Sequence, residues 1–331
     1  MTGRCIGLFP WRGSVEHRRI LGTDLEVSPI CFGMMYGSAI RKKPELKRDA
    51  LRRALESGIN FIHSCKEYDT WPVLANVLDS SPYARRLTHV IKMIFPEDED
   101  KNRFYPEKFR QRVEDHLAAL RTDRIDILQY QWRVAPGTDL EPLALFRSVV
   151  DEVVYTFQRL RDEGKVGYLM VFPSATCKME VIQTGHFSGM ISVCNLARLD
   201  YGSLYLELKR RNMGLLGFSP LQGGILTDRY GHYCAGNGDR RSGEFFHKQY
   251  AKRQRIAEFF AEEIGPSMTS FAMRALLSTP VMGSLITGMS TVEQVDEVVA
   301  ALAAPALPPD IFQRAVELWH DELAVIDITT T

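Results

Sequence analysis

The chain has 331 residues, and its 41 lysines and arginines balance 41 aspartates and glutamates, so the formal charge is zero. A neutral chain offers no general field for nucleic acid or an acidic membrane, and no apolar stretch is long enough to cross a bilayer. The six cysteines (Cys5, Cys31, Cys65, Cys177, Cys194, Cys234) are scattered without C-x-x-C spacing, which argues against a disulfide framework and for a reducing cytoplasm; Met1–Gly13, broken by Pro10, has no secretory pattern.

In chain order, residues 1–16 read as a flexible extension. Arg18–Pro29, around Leu21-Gly22-Thr23-Asp24, reads as a hairpin. Eight short apolar runs follow as strands: Ile30–Phe32, Asn60–Ser64, Thr88–Met93, Ile125–Tyr130, Val166–Val171, Met190–Cys194, Gly214–Phe218 and Val281–Ile286. Most lack polar alternation, as a parallel strand buried on both faces requires. Amphipathic stretches separate them: Leu46–Ser57, Tyr105–Arg121, Phe146–Glu163, Leu204–Arg211, Gln249–Glu263 and Val292–Ala301. In the second of these, Phe109, Val113, Leu117 and Leu120 share one helix face. Gly58 and Gly164 each stand between a helix and a strand, at the C′ position. Gln222–Phe245, rich in glycine and polar residues, reads as a mobile loop over the top, and Pro309–Leu323 as an extra terminal helix. Repeated strand–helix alternation predicts an α/β fold, a (β/α)8 barrel over the whole chain as one domain. A doubly wound open sheet is the alternative on pattern alone.

Several segments, in order, resemble the aldo-keto reductase family. They are Arg19-Ile20-Leu21-Gly22 leading to Cys31-Phe32-Gly33-Met34; Gly58-Ile59-Asn60-Phe61-Ile62 followed by Tyr68; Lys92; Leu120 to Asp126; Gly164-Lys165-Val166; Phe218-Ser219-Pro220-Leu221; and Gly288 with Ser290, Gln294 and Glu297. The resemblance covers nearly the whole chain. It implies a barrel that binds NADP(H) without a Rossmann domain and reduces carbonyls to alcohols.

Hydride reduction of a carbonyl needs a proton donor at an oxygen that becomes negative. The resemblance assigns Tyr68 as acid and Lys92 as its electrostatic partner. The position of the aspartate that would hold the lysine falls on His63, and that of the carbonyl-orienting histidine on Gln131. Loss of the carboxylate leaves the ammonium less compensated, so Tyr68 is expected to ionise more easily than in an ordinary family member. Gln131 can still donate an N–H, but cannot titrate.

The cofactor positions are also altered. Where the family has Ser-Asn to bind the nicotinamide carboxamide, this chain has Phe172-Pro173, which cannot make those bonds. Asn195 is the nearest substitute for a glutamine after the sixth strand, and Phe218 keeps an aromatic ring to stack on the nicotinamide, followed by Ser219 and Leu221. At the adenosine end Gly288, Ser290, Gln294 and Glu297 open a helix, whose N-terminus offers N–H groups to phosphate. No lysine or arginine lies between Ile286 and Glu297, so a 2′-phosphate would look to Lys252, Arg253 or Arg255.

His63 and Cys65 lack further ligands for a metal, and none is expected; Cys65 has no evident base partner. Gly236-Asn237-Gly238 follows no strand and is not a phosphate loop. Trp71, Tyr105 and Trp132 line a substrate pocket or simply pack. The sequence thus predicts an NADP(H)-dependent oxidoreductase acting on a small carbonyl or conjugated carbonyl compound, with no nucleic-acid or membrane partner and an undetermined oligomeric state. Two rivals share the barrel: a lyase, cyclase or isomerase without redox chemistry, and a catalytically silent NADP(H)-binding regulatory protein.

Overall fold

The computed structural model describes residues 15–36, 43–83, 87–94, 100, 102–131, 141–173, 177–199, 202–230, 244–305 and 307–326. A two-stranded hairpin comes first, β1 (Arg18–Arg19) with β2 (Glu26–Val27). Then follow β3 (Ile30–Gly33), α1 (Pro44–Glu56), β4 (Phe61–Cys65), α2 (Trp71–Ser80), β5 (Thr88–Ile94), α3 (Pro106–Leu120), β6 (Ile125–Gln131), α4 (Pro142–Asp162) and β7 (Val166–Phe172). The second half runs α5 (Lys178–Thr184), β8 (Gly189–Val193), α6 (Gly202–Arg210), β9 (Gly214–Phe218), α7 (Glu244–Phe259), α8 (Met268–Leu277), β10 (Met282–Gly288), α9 (Val292–Leu302) and α10 (Ile311–Leu318). Strands β3 to β10 pair in parallel and in sequence order, and β10 pairs back onto β3, closing an eight-stranded barrel. The open-sheet alternative is thereby excluded.

Side chains alternate across the barrel wall. Cys31, Phe61, Val90, Ile127, Met170, Ile191, Leu216 and Ile286 point inward and form one buried cluster. Ile30, Phe32, Ile62, Ile91, Leu128, Leu169, Met190 and Leu285, next to them in sequence, join the larger core under the helices. Both strand faces are therefore apolar, which explains the continuous runs. The hairpin stops the N-terminal end of the barrel: Ile20 and Val27 are fully buried in the inner cluster, and Ile20 lies where a Cβ on Gly214 would be, 2.5 Å from its Cγ2. Gly22, at φ +75°, lets the turn touch the Asn212 and Ser188 carbonyls.

Several boundaries differ from the sequence reading. Pro44, Pro106 and Pro142 occupy the first turns of α1, α3 and α4, where a proline loses no hydrogen bond. Helix α7 begins at Glu244 rather than Gln249, and most of the anticipated top loop (231–243) lies outside the described residues, as does most of the anticipated extension. Helices α2, α5 and α8 were not anticipated; α8 is buried on nearly every side and so shows no polar stripe. The terminal helix is shorter, Ile311–Leu318, and continues as a π turn over Trp319–Leu323.

Lys47 of α1 is an unusual core residue, with 0% exposure. Its Nζ donates to the carbonyls of Gly33 (2.6 Å), Met289 (2.8 Å) and Met35 (3.4 Å), and lies 4.6 Å from the Phe32 ring centre. Burial pulls the amine down to about 7. Lys47→Ala should cost about 3 kcal/mol, from lost packing and carbonyls left without a donor. Lys47→Met should recover only the packing part. Urea midpoints at pH 8 measure both, and a loss below about 0.5 kcal/mol for alanine would show that the lysine holds nothing.

Candidate functional site

The two-residue period of the strands dictates what lines the C-terminal mouth. Two positions beyond the inward Phe61, Val90, Ile127, Met170, Leu216 and Ile286 stand His63, Lys92, Gln129, Phe172, Phe218 and Gly288. One step further out on β4 and β6 are Cys65 and Gln131. Tyr68 arrives differently, on the 3-10 turn Lys66–Tyr68 that leaves β4 and ends at Asp69 in left-handed conformation, φ +56°.

The fold brings His63, Tyr68 and Lys92 together. The Lys92 Nζ lies 4.6 Å from the centre of the Tyr68 ring, and the His63 and Tyr68 ring centroids are 6.0 Å apart. His63 Nε2 is 2.8 Å from Gln129 Oε1; an amide oxygen only accepts, so Nε2 carries the proton. Burial holds His63 down to about 4, against the opposing bond to Gln129, so the ring is neutral at pH 7. Burial, followed by the neighbouring Cys65, pushes the Tyr68 phenol well above the usual value of about 10. Tyr68 is packed against the core, so desolvation governs this shift. Gln131, at the end of β6 between Ile94 and Phe172, stands one level above this group. Gln129 was missed by sequence reading, although its inward phase two residues before Gln131 was visible there. Cys65 does have an acidic neighbour: its thiol donates to Glu67.

Across the mouth stand the anticipated cofactor positions. The Phe172 and Phe218 rings meet edge-on at 80°, centroids 6.5 Å apart, and Pro173 is buried beside them. Asn195 is fully buried; its Nδ2 donates to the Ser219 carbonyl (3.2 Å) and Gln222 Oε1 (3.0 Å), while Gln222 Nε2 donates to Gln249 Oε1 (3.0 Å). Asn195 Oδ1 is buried and has no hydrogen-bond partner among the described residues. Ser219 and Gln222 both adopt left-handed backbone, φ +56° and +45°, turning the chain sharply after β9 around the half-buried Leu221. Gly288 is exposed, and a Cβ there would meet nothing within 4 Å.

At the start of α9, Ser290 N–H donates to Gln294 Oε1 (2.6 Å) and Thr291 Oγ1 accepts from Gln294 N–H (3.4 Å). Glu297 accepts from Thr269 Oγ1 (3.1 Å) and lies 3.5 Å from Arg229. Arg229 is a cation at this end that the sequence did not single out, because it is far away in the chain. Of the three proposed there, Lys252 is buried and donates to the Ala197 carbonyl, Arg253 donates to Ile225 and lies over the Tyr230 ring, and Arg255 is bound to Glu322. Trp71 packs edge-on against His116, Lys108 lies over the Tyr105 ring, and Trp132 is outside the described residues.

A closed parallel barrel with polar side chains gathered at its C-terminal mouth defines an enzyme-type (β/α)8 scaffold. The sequence model of the Aldo/keto reductase family matches residues 29–320, so the chain belongs to that family, a family of oxidoreductases. It is 24% identical to L-galactose dehydrogenase of Arabidopsis thaliana over 306 residues, spanning 87% of this chain and 88% of the relative. To the uncharacterized oxidoreductase YqkF of Bacillus subtilis (strain 168) it is 26% identical, over 88% and 92%. The solved holo form of aldo-keto reductase AKR11C1 from Bacillus halodurans shares the fold with a TM-score of 0.70 at 18% identity, over 92% and 96% of the two chains.

Proposed function

We propose that this protein is an NADP(H)-dependent oxidoreductase that reduces a carbonyl or conjugated carbonyl group of a small molecule. The observation that carries the reading is the Lys92 ammonium 4.6 Å above the Tyr68 ring, beside a neutral His63, at the barrel mouth. Tyr68 is the proton donor. Its raised pKa keeps it protonated until the substrate oxygen gains charge, and Lys92 stabilises the phenolate left behind. His63, proton on Nε2, and Gln131 orient the substrate oxygen.

The residues present fit a dinucleotide. Asn195 Oδ1, an acceptor without a partner, suits an amide N–H; the open space over Gly288 leaves room for a ligand; and Phe218 offers a ring face at the mouth. When bound, the nicotinamide would supply the hydride. Ser219 and Leu221 would line its far side, with Ser290, Gln294 and Glu297 at the adenosine end and Arg229 as a cation for a 2′-phosphate. The small-molecule assignment accords with the family, and no helix of the described residues is long and apolar enough to cross a membrane. The scattered cysteines support a cytoplasmic setting.

One observation favours a second reading, proton-transfer chemistry without hydride: Phe172 lies edge-on to Phe218 where carboxamide anchors would otherwise stand. Fluorescence titration with NADPH separates the two. Binding, followed by loss of absorbance at the reduced-nicotinamide band with an aldehyde, ketone or enone, is the expected outcome. No binding would overturn the redox reading and leave the barrel chemistry to His63, Tyr68 and Lys92.

A further inference from the structure

Lys92 projects a positive charge into a barrel mouth whose inward strand positions hold no carboxylate. The inward positions of this mouth include His63, Cys65, Gln129, Gln131, Phe172 and Phe218. A half-buried cation with no anion nearby is costly, and its side chain has no fixed direction. The nearest strand partner of Lys92 is Cys65: the two are paired across the β4–β5 ladder, both facing inward. The Lys92 ammonium favours the Cys65 thiolate from across that ladder, and the Cys65 S–H donates to Glu67 Oε2. The other Glu67 oxygen accepts from the Arg112 Nη2. Arg112 rises from the buried face of α3, with a side chain only 8% exposed, and its Nη1 reaches the Ile94 carbonyl at 3.4 Å. Ile94 ends the strand that carries Lys92. A path of neighbours therefore runs from Lys92 across the ladder to Cys65, then by hydrogen bonds through Glu67 and Arg112 back to β5. Tyr68 follows Glu67 directly in the chain.

We propose that Glu67, acting through the Cys65 thiol, is the anion that anchors Lys92 above Tyr68, making Glu67 and Cys65 positioning residues of this site. The thiol is suited to the link because it can accept from an ammonium and donate to a carboxylate at once. Burial pushes the Cys65 thiol up to about 11, opposed by Lys92 and Arg112, so it stays protonated and keeps its donor at neutral pH. The part it plays in turnover rests on the redox reading above; the bridge itself does not.

The test uses the full-length protein and two chemical labels read peptide by peptide in a mass spectrometer. Iodoacetamide reports the Cys65 thiolate and an N-hydroxysuccinimide ester reports the freedom of the Lys92 amine. Glu67→Gln keeps the shape of a half-exposed side chain and removes its charge. It should make Cys65 alkylate about tenfold faster at pH 8, because the anion that penalises the thiolate is gone. The same variant should raise Lys92 labelling several-fold. Cys65→Ala should also raise Lys92 labelling, whereas Cys65→Ser, whose hydroxyl accepts and donates in the same way, should restore protection. A packing role alone would not separate serine from alanine in this order. Unchanged Lys92 labelling in folded Glu67→Gln, confirmed by its melting temperature, overturns the proposal; so does equal labelling in the serine and alanine variants. If NADPH fails to bind while the labelling pattern holds, the bridge stands and the redox reading falls.

Discussion

Tyr68→Phe is expected to lower kcat for carbonyl reduction by about a thousandfold while leaving NADPH binding within a factor of two or so. The substitution removes one oxygen and keeps the ring over which Lys92 lies, so packing at the mouth is preserved. What is lost is the proton delivered as the substrate oxygen becomes an alkoxide. His63 cannot replace it, because burial holds that imidazole down to about 4 and it is uncharged at neutral pH. Gln131 has no proton to give. The raised phenol adds a pH signature. A donor that stays protonated well above pH 10 gives a wild-type rate that is flat from pH 6 to 9, with no acid limb from histidine above about pH 5. Initial rates with a reactive aldehyde measure both. A drop of less than tenfold would remove Tyr68 from the role of acid.

Acid should destabilise the fold long before the carboxylates titrate. His63, His89 and His116 are each held down to about 4 by burial, while an unfolded chain returns them to about 6.5. None is hydrogen-bonded through its ring to a carboxylate among the described residues, and Asp115 favours a charged His116 only as the smallest influence on it. His63 meets Gln129, His116 Nδ1 donates to the Arg112 carbonyl, and His89 Nδ1 has no partner among the described residues. The native state therefore binds fewer protons than the unfolded state between those two values, and stability rises with pH across that window. Their contribution is complete above about pH 6.5 and is lost progressively as pH falls towards 4. Three such groups, each worth about 1.4 kcal/mol per pH unit once below 6.5, should remove several kcal/mol between pH 7.5 and 5. Urea unfolding at the two values measures this, and His116→Gln should flatten the slope by one proton. A pH-independent unfolding free energy over that range would show that these rings are solvated.

The sequence displayed the barrel because each strand is apolar on both faces, and all eight apolar runs overlap observed strands. Most of their outer ends were set one or two residues short, since Gly33, Cys65, Ile94, Gln131, Phe172 and Gly288 continue the ladder. Tyr68, Lys92 and His63 were assigned through the family resemblance rather than by spacing or strand phase. Arg112 and His116 illustrate what was hidden. They share the buried face of α3 with Phe109, Val113, Leu117 and Leu120, yet polar side chains in an amphipathic pattern read as solvent-facing. The burial that raises the Tyr68 phenol was hidden for a related reason: charge composition is visible in a sequence, whereas the depth at which a phenol sits is a product of packing.

The Lys47 contacts bear on how the barrel is made. Its amine joins Gly33 to Met289, and the strands it clamps, β3 and β10, are the first and last of the sheet. Until the final strand has emerged from the ribosome, a nascent chain carries two raw sheet edges and an amine with only one of its two shores. Closure is thus the event that ends edge exposure: a chain truncated before Met282 would lack the strand that pairs with both β9 and β3, and one ending at Gly288 would keep that ladder but lose the carbonyl that Lys47 ties to Gly33.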